Sequence, residues 1–382
     1  MSEVLEGRPL QQTFKRSVRA AVVRQVGAPF ALEELQIAEP LPGEVLVRLA
    51  GTGICHTDLV VRDGFPAPLP IVLGHEGSGR VEAVGAGVTH LKVGDAVVMS
   101  FAHCGGCPNC ARHEPAYCYQ FFPLNFAGQR LEDGSTPLRK GDEKIHGHFF
   151  DQSSFASLAI AKAASVVKID ATGLPLELMG PLGCGVQTGA GAVFNSLKME
   201  QGQSLVVFGG GAVGLSAVMA ARCIGAAPIV VVEPQAGRRA LATELGATHC
   251  IDPRATDKLV DDVKAACGGG AVRALDTTGI PAVIGQAAET LLPNGLLGLL
   301  GASPMDANLP VNIMSLIIRG VGIKAILEGD SNPQELIPRL VGLYRKGRFP
   351  FDKLIRTFPF DQINEATKAS EDGSVVKPVV VF

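Results

Sequence analysis

The chain has no surplus of charge of either sign: 34 Lys and Arg stand against 37 Asp and Glu, a net charge of −3. That balance supplies neither the basic face that nucleic acid requires nor an acidic tail, so no nucleic acid is expected as a partner. Internal repeats and low-complexity tracts are lacking too. Met1 to Ser17 is polar and mixed in charge, without the apolar stretch of an export signal. It reads as a loose extension before the first strand, and a cytoplasmic location is the expectation. Hydrophobic residues make up 47 %, yet no unbroken apolar run supports a membrane span. The nearest, Leu205 to Ala221, is interrupted by Gly209, Gly210, Gly211 and Gly214 and reads as strand, turn and helix. The 46 glycines lack the every-third-residue period of collagen, so they imply tight turns and close backbone approaches.

At 382 residues the chain is long enough for two domains, each with its own core. From Val18 to Val98 it consists of short β segments broken by glycine and proline: Val18–Val23, Glu44–Leu49, Ser78–Ala83 and Ala96–Met99. This part reads as an irregular, mostly antiparallel β domain. Further on, apolar segments at Leu205–Phe208, Pro228–Val232, Ala271–Asp276 and Gly295–Leu300 alternate with helical stretches, which points to a parallel sheet in βαβ units. The apolar end, Val375 to Phe382, reads as a strand that returns to the first domain. The fold class is therefore α/β, a doubly wound parallel sheet joined to a mostly β domain.

Nine cysteines are an odd number, and four of them fall between Cys104 and Cys118. Cys104, Cys107, Cys110 and Cys118 have the spacing C-x2-C-x2-C-x7-C, with glycine and proline between the first three to let the loop wrap an ion. Four thiolates close a tetrahedral shell, which makes a zinc there structural. A redox dithiol or an iron–sulfur cluster could use the same ligands, and a zinc ribbon touching nucleic acid conflicts with the near-neutral charge.

Leu205–Phe208 runs directly into Gly209-Gly210-Gly211-Ala212-Val213-Gly214 and a helix-compatible segment. Gly209 permits a tight turn, Gly211 lets the backbone approach a pyrophosphate, and Gly214 lets helix and strand pack closely. Phosphates would sit at the helix N-terminus. A second strand, Ile229–Val232, ends at Glu233, whose carboxylate can accept both adenosine ribose hydroxyls and repel a 2′-phosphate; NAD rather than NADP is expected. Glu233 could instead be a solvated loop carboxylate, and Arg238 and Arg239 could soften its repulsion.

Three further segments carry possible ligands: Cys55-His56-Thr57-Asp58 after a strand, Gly74-His75-Glu76, and Cys184 within Gly183-Cys184-Gly185. Singly each has a plain explanation, a buried thiol behaving as a small hydrophobe. Together, two thiolates and an imidazole make a three-ligand set that leaves zinc one open position.

In order and spacing, Gly74-His75-Glu76-x2-Gly79-x5-Gly85, the four-cysteine lobe, Cys184 and Gly209-x-Gly211-x2-Gly214 resemble the zinc-dependent medium-chain alcohol dehydrogenases from about Val18 to Phe382. Cys55-His56-Thr57-Asp58-Leu59, Pro68-Leu69-Pro70, Gly180 to Gly189 and Phe349-Pro350-Phe351-Asp352 resemble the bacterial aryl (benzyl) alcohol and geraniol dehydrogenase group.

The resemblance implies a GroES-like catalytic domain (1–186 and 330–382), a Rossmann domain (187–329), and two zinc ions per chain. It implies a catalytic zinc on Cys55, His75 and Cys184 with Glu76 beside it, and Asp58 orienting the ligand histidine. Thr57 would take the alcohol proton, His56 and Lys377 would meet the coenzyme pyrophosphate, and Thr188 would lie beside the nicotinamide. Where some members carry a proton-relaying histidine three residues after Thr57, this chain has Val60, so the coenzyme ribose, His56 or water must finish the relay. The expected reaction interconverts a hydrophobic primary alcohol and its aldehyde with NAD. Phe149 and Phe101 are expected at the substrate pocket, with a place in the core as the alternative. A short aliphatic alcohol, a zinc-free reductase and a non-catalytic zinc- and nucleotide-binding regulator are the other readings. A homodimer or homotetramer is expected, with Leu296–Leu300 and Ile313–Ile318 continuing a sheet across a two-fold axis.

Overall fold

The computed structural model describes residues 12–382. The part of the N-terminal extension before Gln12 lies outside the described residues. The remainder differs from expectation, because the first strand begins at Phe14 and spans Phe14–Val23. Its first half alternates between exposed and half-buried residues, and its second half is buried on both faces. The sequence reading recognised only the apolar half.

Three sheets organise the chain. One has five strands in the order Ile71–Val72, Phe14–Val23, Ala31–Ala38, Leu138–Lys140, Glu143–Ile145. A second, seven-stranded sheet centres on Glu44–Gly53, which pairs antiparallel with Gly77–Val84, Leu158–Lys162 and the C-terminal strand Lys377–Val381. Within it only Ile355–Pro359 and Lys377–Val381 run parallel. Val379 opposite Gly53 and Val381 opposite Gly51 fix the register of the returning strand. That register delivers Lys377 beside the end of the Glu44–Gly53 strand.

The third sheet has six parallel strands, ordered His249–Ile251, Ile229–Val232, Leu205–Phe208, Ala271–Asp276, Leu291–Leu299, Gly322–Ala325. Outward from Leu205–Phe208 this is the doubly wound order with its reversal at the glycine-rich turn. Both faces of Leu205–Phe208 are covered, which explains its unbroken apolar run. Leu205 and Val207 join the core of Leu215 and Val218, while Val206 and Phe208 join that of Val263 and Ile284.

Ile313–Ile318, expected to extend a sheet, lies in a helix, Ile313–Arg319. The Asn312 side chain caps it by accepting from the Ser315 N–H, and Gly320 ends it at φ 60°. On this side the edge of the sheet is Gly322–Ala325 rather than the strand Leu291–Leu299, which holds Leu296–Leu299. No helix among the described residues is long and apolar enough to cross a membrane.

Candidate active site

Cys55 follows the Glu44–Gly53 strand and caps the helix His56–Arg62. Asp58, wholly buried at the third helical position, accepts the Cys55 N–H at 2.9 Å and the Gly74 N–H at 3.0 Å. Its Oδ1 also lies 2.9 Å from His75 Nδ1. This fixes the imidazole with Nδ1 toward the carboxylate, leaving His75 Nε2 buried without a hydrogen-bond partner. Cys184 caps a different helix, Gly185–Gly191. One donor atom each from Cys55, His75, Glu76 and Cys184 lies within 4.8 Å of the others.

A buried, partnerless imidazole nitrogen between two thiols is what a zinc ion would satisfy, so the donor set fits the metal. The local charge favours thiolate as well. Cys55 is held well below the usual thiol range, first by its hydrogen bond with Cys184 and then, against the opposing effect of burial, by His75 and Lys377. Cys184, retaining the shared proton, is pushed well up.

Glu76 is wholly buried, and its carboxylate pKa is raised by that burial. It accepts from Lys377 Nζ at 2.9 and 3.0 Å and from the Gly185 N–H at 3.1 Å. Burial alone would lower the Lys377 ammonium, and the charges of Glu76 and Cys55, with the hydrogen bond to Glu76, together more than reverse that. Lys377 also donates to the Ile54 carbonyl at 3.1 Å while forming part of the cleft wall. Thr57 Oγ1 is 3.9 Å from Cys55 Sγ. His56 and Val60 are exposed on the same wall.

Cys104, Cys107, Cys110 and Cys118 form a second group whose ligand atoms also lie within 4.8 Å of one another. Backbone N–H groups point at the sulfurs: Cys104 N–H to Cys118 Sγ at 3.2 Å, Cys107 N–H to Cys104 Sγ at 3.3 Å, Gln120 N–H to Cys118 Sγ at 3.4 Å. Donors of this kind stabilise thiolates, and N–H bonds from Cys110 and Tyr119 bring the Cys107 thiol down to about 6. Four thiols with this support fit a closed zinc site.

Between the metal-ligand group and the parallel sheet lies a cleft of about 820 Å³. Gly209, Gly210 and Gly211 line it, and Gly211 begins the helix Ala212–Ile224 without a side-chain cap. A Cβ on Gly211 would meet no protein atom, so this stretch of backbone is open to a ligand's phosphates. By contrast a Cβ on Gly214 would lie 2.0 Å from the Gly209 carbonyl oxygen, so glycine is needed there for helix and strand to touch. Glu233 is buried and accepts the Gly210 N–H at 2.7 Å and the Gln235 N–H at 2.8 Å, so it is a fixed wall rather than a solvated loop carboxylate. Arg239 is engaged by the Glu233 and Pro234 carbonyls and by Asp252. Arg238 lines the cleft and donates to the Gly373 carbonyl at 3.2 Å.

Thr188, one helical turn after Cys184, donates to Glu328 Oε2 at 3.3 Å. Glu328 was not singled out by sequence. It is buried, lies with Oε1 3.7 Å from Cys184 Sγ, and burial raises its pKa to about 7. Phe150 was missed as well: its ring stacks on His75 at 4.4 Å, with Phe149 edge-on at 5.6 Å. The doubled Phe149-Phe150 was the available signal. Phe101 contacts Phe121 at 5.7 Å and His103, and both Phe101 and Phe149 are buried in one core cluster and lie outside the cleft lining, so both take the alternative place in the core, Phe149 with its ring beside His75.

Comparison with known proteins accords with this geometry. Residues 41–171 match the alcohol dehydrogenase GroES-like domain and residues 212–343 the zinc-binding dehydrogenase family. The chain is 54 % identical over 366 residues to geraniol dehydrogenase of Castellaniella defragrans, covering 96 % of this chain and 98 % of that one. Among solved structures it resembles an alcohol dehydrogenase zinc-binding domain protein from Burkholderia ambifaria (TM-score 0.94, 50 % identity, 96 % and 99 % of the two chains). It also resembles benzyl alcohol dehydrogenase from Acinetobacter calcoaceticus (TM-score 0.93, 43 % identity, 96 % and 100 %). Two adjoining folds, a thiolate–imidazole ligand set and a nucleotide cleft thus agree with whole-chain likeness: the chain belongs to the zinc-binding alcohol dehydrogenase family and is an enzyme of that family.

Proposed function

We propose that the protein interconverts a hydrophobic primary alcohol, aromatic or allylic, and its aldehyde with NAD. The observation that carries this reading is the partnerless His75 Nε2, set between Cys55 and Cys184 and roofed by the Phe150 ring. Phe149, Phe126 and Phe150 pack with ring centroids 5.0–5.8 Å apart in the core behind His75, so the ligand group is backed by apolar, aromatic side chains. Relatives named for geraniol and benzyl alcohol support the same substrate class.

Zinc on Cys55, His75 and Cys184 would supply a Lewis acid that makes an alcohol hydroxyl acidic and polarises a carbonyl, while the nicotinamide supplies the hydride acceptor. The chain's own residues do the rest. Asp58 holds His75 in the tautomer that presents Nε2. Thr57 takes the alcohol proton, and the coenzyme ribose, exposed His56 or water carries it out in place of a group at Val60. Lys377 compensates buried Glu76 beside the ligands and offers its charge to the coenzyme pyrophosphate. Fixed Glu233 binds the ribose hydroxyls and repels a 2′-phosphate, and Arg239 is too engaged to offset it.

The four-cysteine lobe holds the second zinc of each chain. Residues 1–186 with 330–382 form the catalytic domain and 187–329 the nucleotide domain, a division supported by the confinement of the parallel sheet to residues 205–325. Nine free cysteines accord with a reducing compartment such as the cytoplasm. A second copy of the chain is the expected partner.

Steady-state kcat/KM for geraniol, benzyl alcohol and ethanol, each with NAD⁺ and NADP⁺, tests the reading. The two hydrophobic alcohols should exceed ethanol by at least about 100-fold, as several buried methylenes demand, with NAD⁺ preferred. Preference for ethanol would refute the aromatic pocket, and preference for NADP⁺ would remove the role given to Glu233.

A further inference from the structure

Glu328, Gly329 and Asp330 have φ values of 49°, 68° and 48°. Two side-chain-bearing positions in the left-handed region, one on each side of a glycine, persist only where the surroundings enforce them, and such strain gathers at functional sites. Here the enforcement comes from both sides. From the four-cysteine lobe, Tyr117, adjacent to Cys118, donates its hydroxyl to Asp330 Oδ1 at 2.5 Å and accepts the Leu327 N–H at 3.3 Å. Lys324 pairs with the other oxygen of Asp330. From the helix that starts after Cys184, a Cβ on Gly191 would lie 2.4 Å from the Gly329 carbonyl oxygen, so the turn is seated directly on helix backbone. Ser331 bridges the Glu328 carbonyl and the Gln187 side chain.

This clamp aims a buried carboxylate at Cys184 and Thr188. A carboxylate has about four acceptor positions, yet among the described residues Glu328 receives side-chain donors only from the Thr188 hydroxyl and the Cys184 thiol. With Cys184 given over to the zinc site, the Thr188 hydroxyl would be its one remaining side-chain donor, leaving most acceptor positions of a buried carboxylate unfilled. Such an arrangement calls for a donor from a ligand. Glu328 follows the C-terminal end of the Gly322–Ala325 strand, on the side of the parallel sheet that also bears Gly209 and Thr277, where ligands of such sheets bind. A hydrophobic alcohol brings one hydroxyl, already assigned to the metal and Thr57. The nicotinamide must reach the same ligands to receive hydride, and its carboxamide carries an N–H2 donor.

We propose that Glu328 recognises the coenzyme by accepting a hydrogen bond from the nicotinamide carboxamide, and that the Tyr117–Asp330–Lys324 clamp positions it for this. The inference rests on the NAD-dependent reading above and adds a residue to it.

The test is direct binding to the zinc-loaded protein, by fluorescence titration, of NADH and of the reduced analogue whose carboxamide is replaced by an acetyl group. ADP-ribose, followed by calorimetry, reports on the pyrophosphate cradle. Glu328→Ala should weaken NADH at least about ten-fold, the effect of losing a charge-assisted bond. Acetyl-analogue and ADP-ribose binding should stay within two-fold of wild type. Glu328→Gln, which keeps an acceptor oxygen, should recover most of the NADH affinity. Tyr117→Phe should weaken NADH less than Glu328→Ala and spare the analogue. Equal weakening of NADH and the analogue by Glu328→Ala would assign it a structural role and overturn the proposal, as would unchanged NADH affinity. If wild type binds ADP-ribose but neither NADH nor the analogue, the coenzyme reading itself falls, and the Glu328 assignment with it.

Discussion

Asp58 accepts from two backbone N–H groups while facing a ring nitrogen, a combination that an amide cannot reproduce. In Asp58→Asn the NH2 group must face either the Cys55 N–H, losing that bond, or the Gly74 N–H and the His75 Nδ1–H, losing both and freeing the ring to present the wrong tautomer, and in either case the charge that holds the ring is gone. We expect kcat/KM to fall about 10- to 100-fold, with zinc in the four-cysteine lobe retained under chelator challenge while the other zinc is lost sooner. Unchanged activity and chelator resistance would show that Asp58 does not orient the ligand. At this scale the sequence revealed what recurs in short motifs. The four-cysteine spacing was legible, whereas the role of Asp58 came through family resemblance. Cys184 and His75 came through family resemblance, because the ligands converge from distant segments. Glu328 and Phe150 stayed hidden: each sits at positive φ without being glycine, and neither belongs to a motif.

Among the elements, the segments of the parallel sheet were readable because strands buried on both faces leave continuous apolar runs. Ile313–Arg319 misled for a related reason. Its three isoleucines favour a strand, but Met314 and Leu316 favour a helix, and the capping Asn312 and terminating Gly320 bound one. Packing does not account for its surface: Ile313 is 71 %, Ile317 66 % and Ile318 77 % exposed, next to the open edge strand Gly322–Ala325. A second copy of the chain, meeting this face about a two-fold axis, would bury both the helix and the edge. Sedimentation velocity should show at least a dimer for wild type and a shift toward monomer for Ile317→Asp. A monomeric wild type, or an unaltered assembly in the variant, would reject this interface.

Across the whole molecule, function depends on the chain ends and distant loops meeting at one cleft. Lys377 arrives on the returning C-terminal strand, Cys55 at the start of the helix that follows the Glu44–Gly53 strand, and Glu233 from the end of a strand of the parallel sheet. The two-part architecture was visible in the change from broken β segments to βαβ rhythm. How closely the parts approach was not, since it rests on contacts such as Lys377 with Glu76 and Arg238 with Gly373 that no local pattern encodes. The zinc count per chain, measured by mass spectrometry alongside turnover on wild type and His75→Ala, tests the central assignment most directly. Wild type should carry two zinc ions, and His75→Ala should keep one in the four-cysteine lobe and lose alcohol oxidation. Two ions in both proteins, or full turnover by the variant, would contradict it.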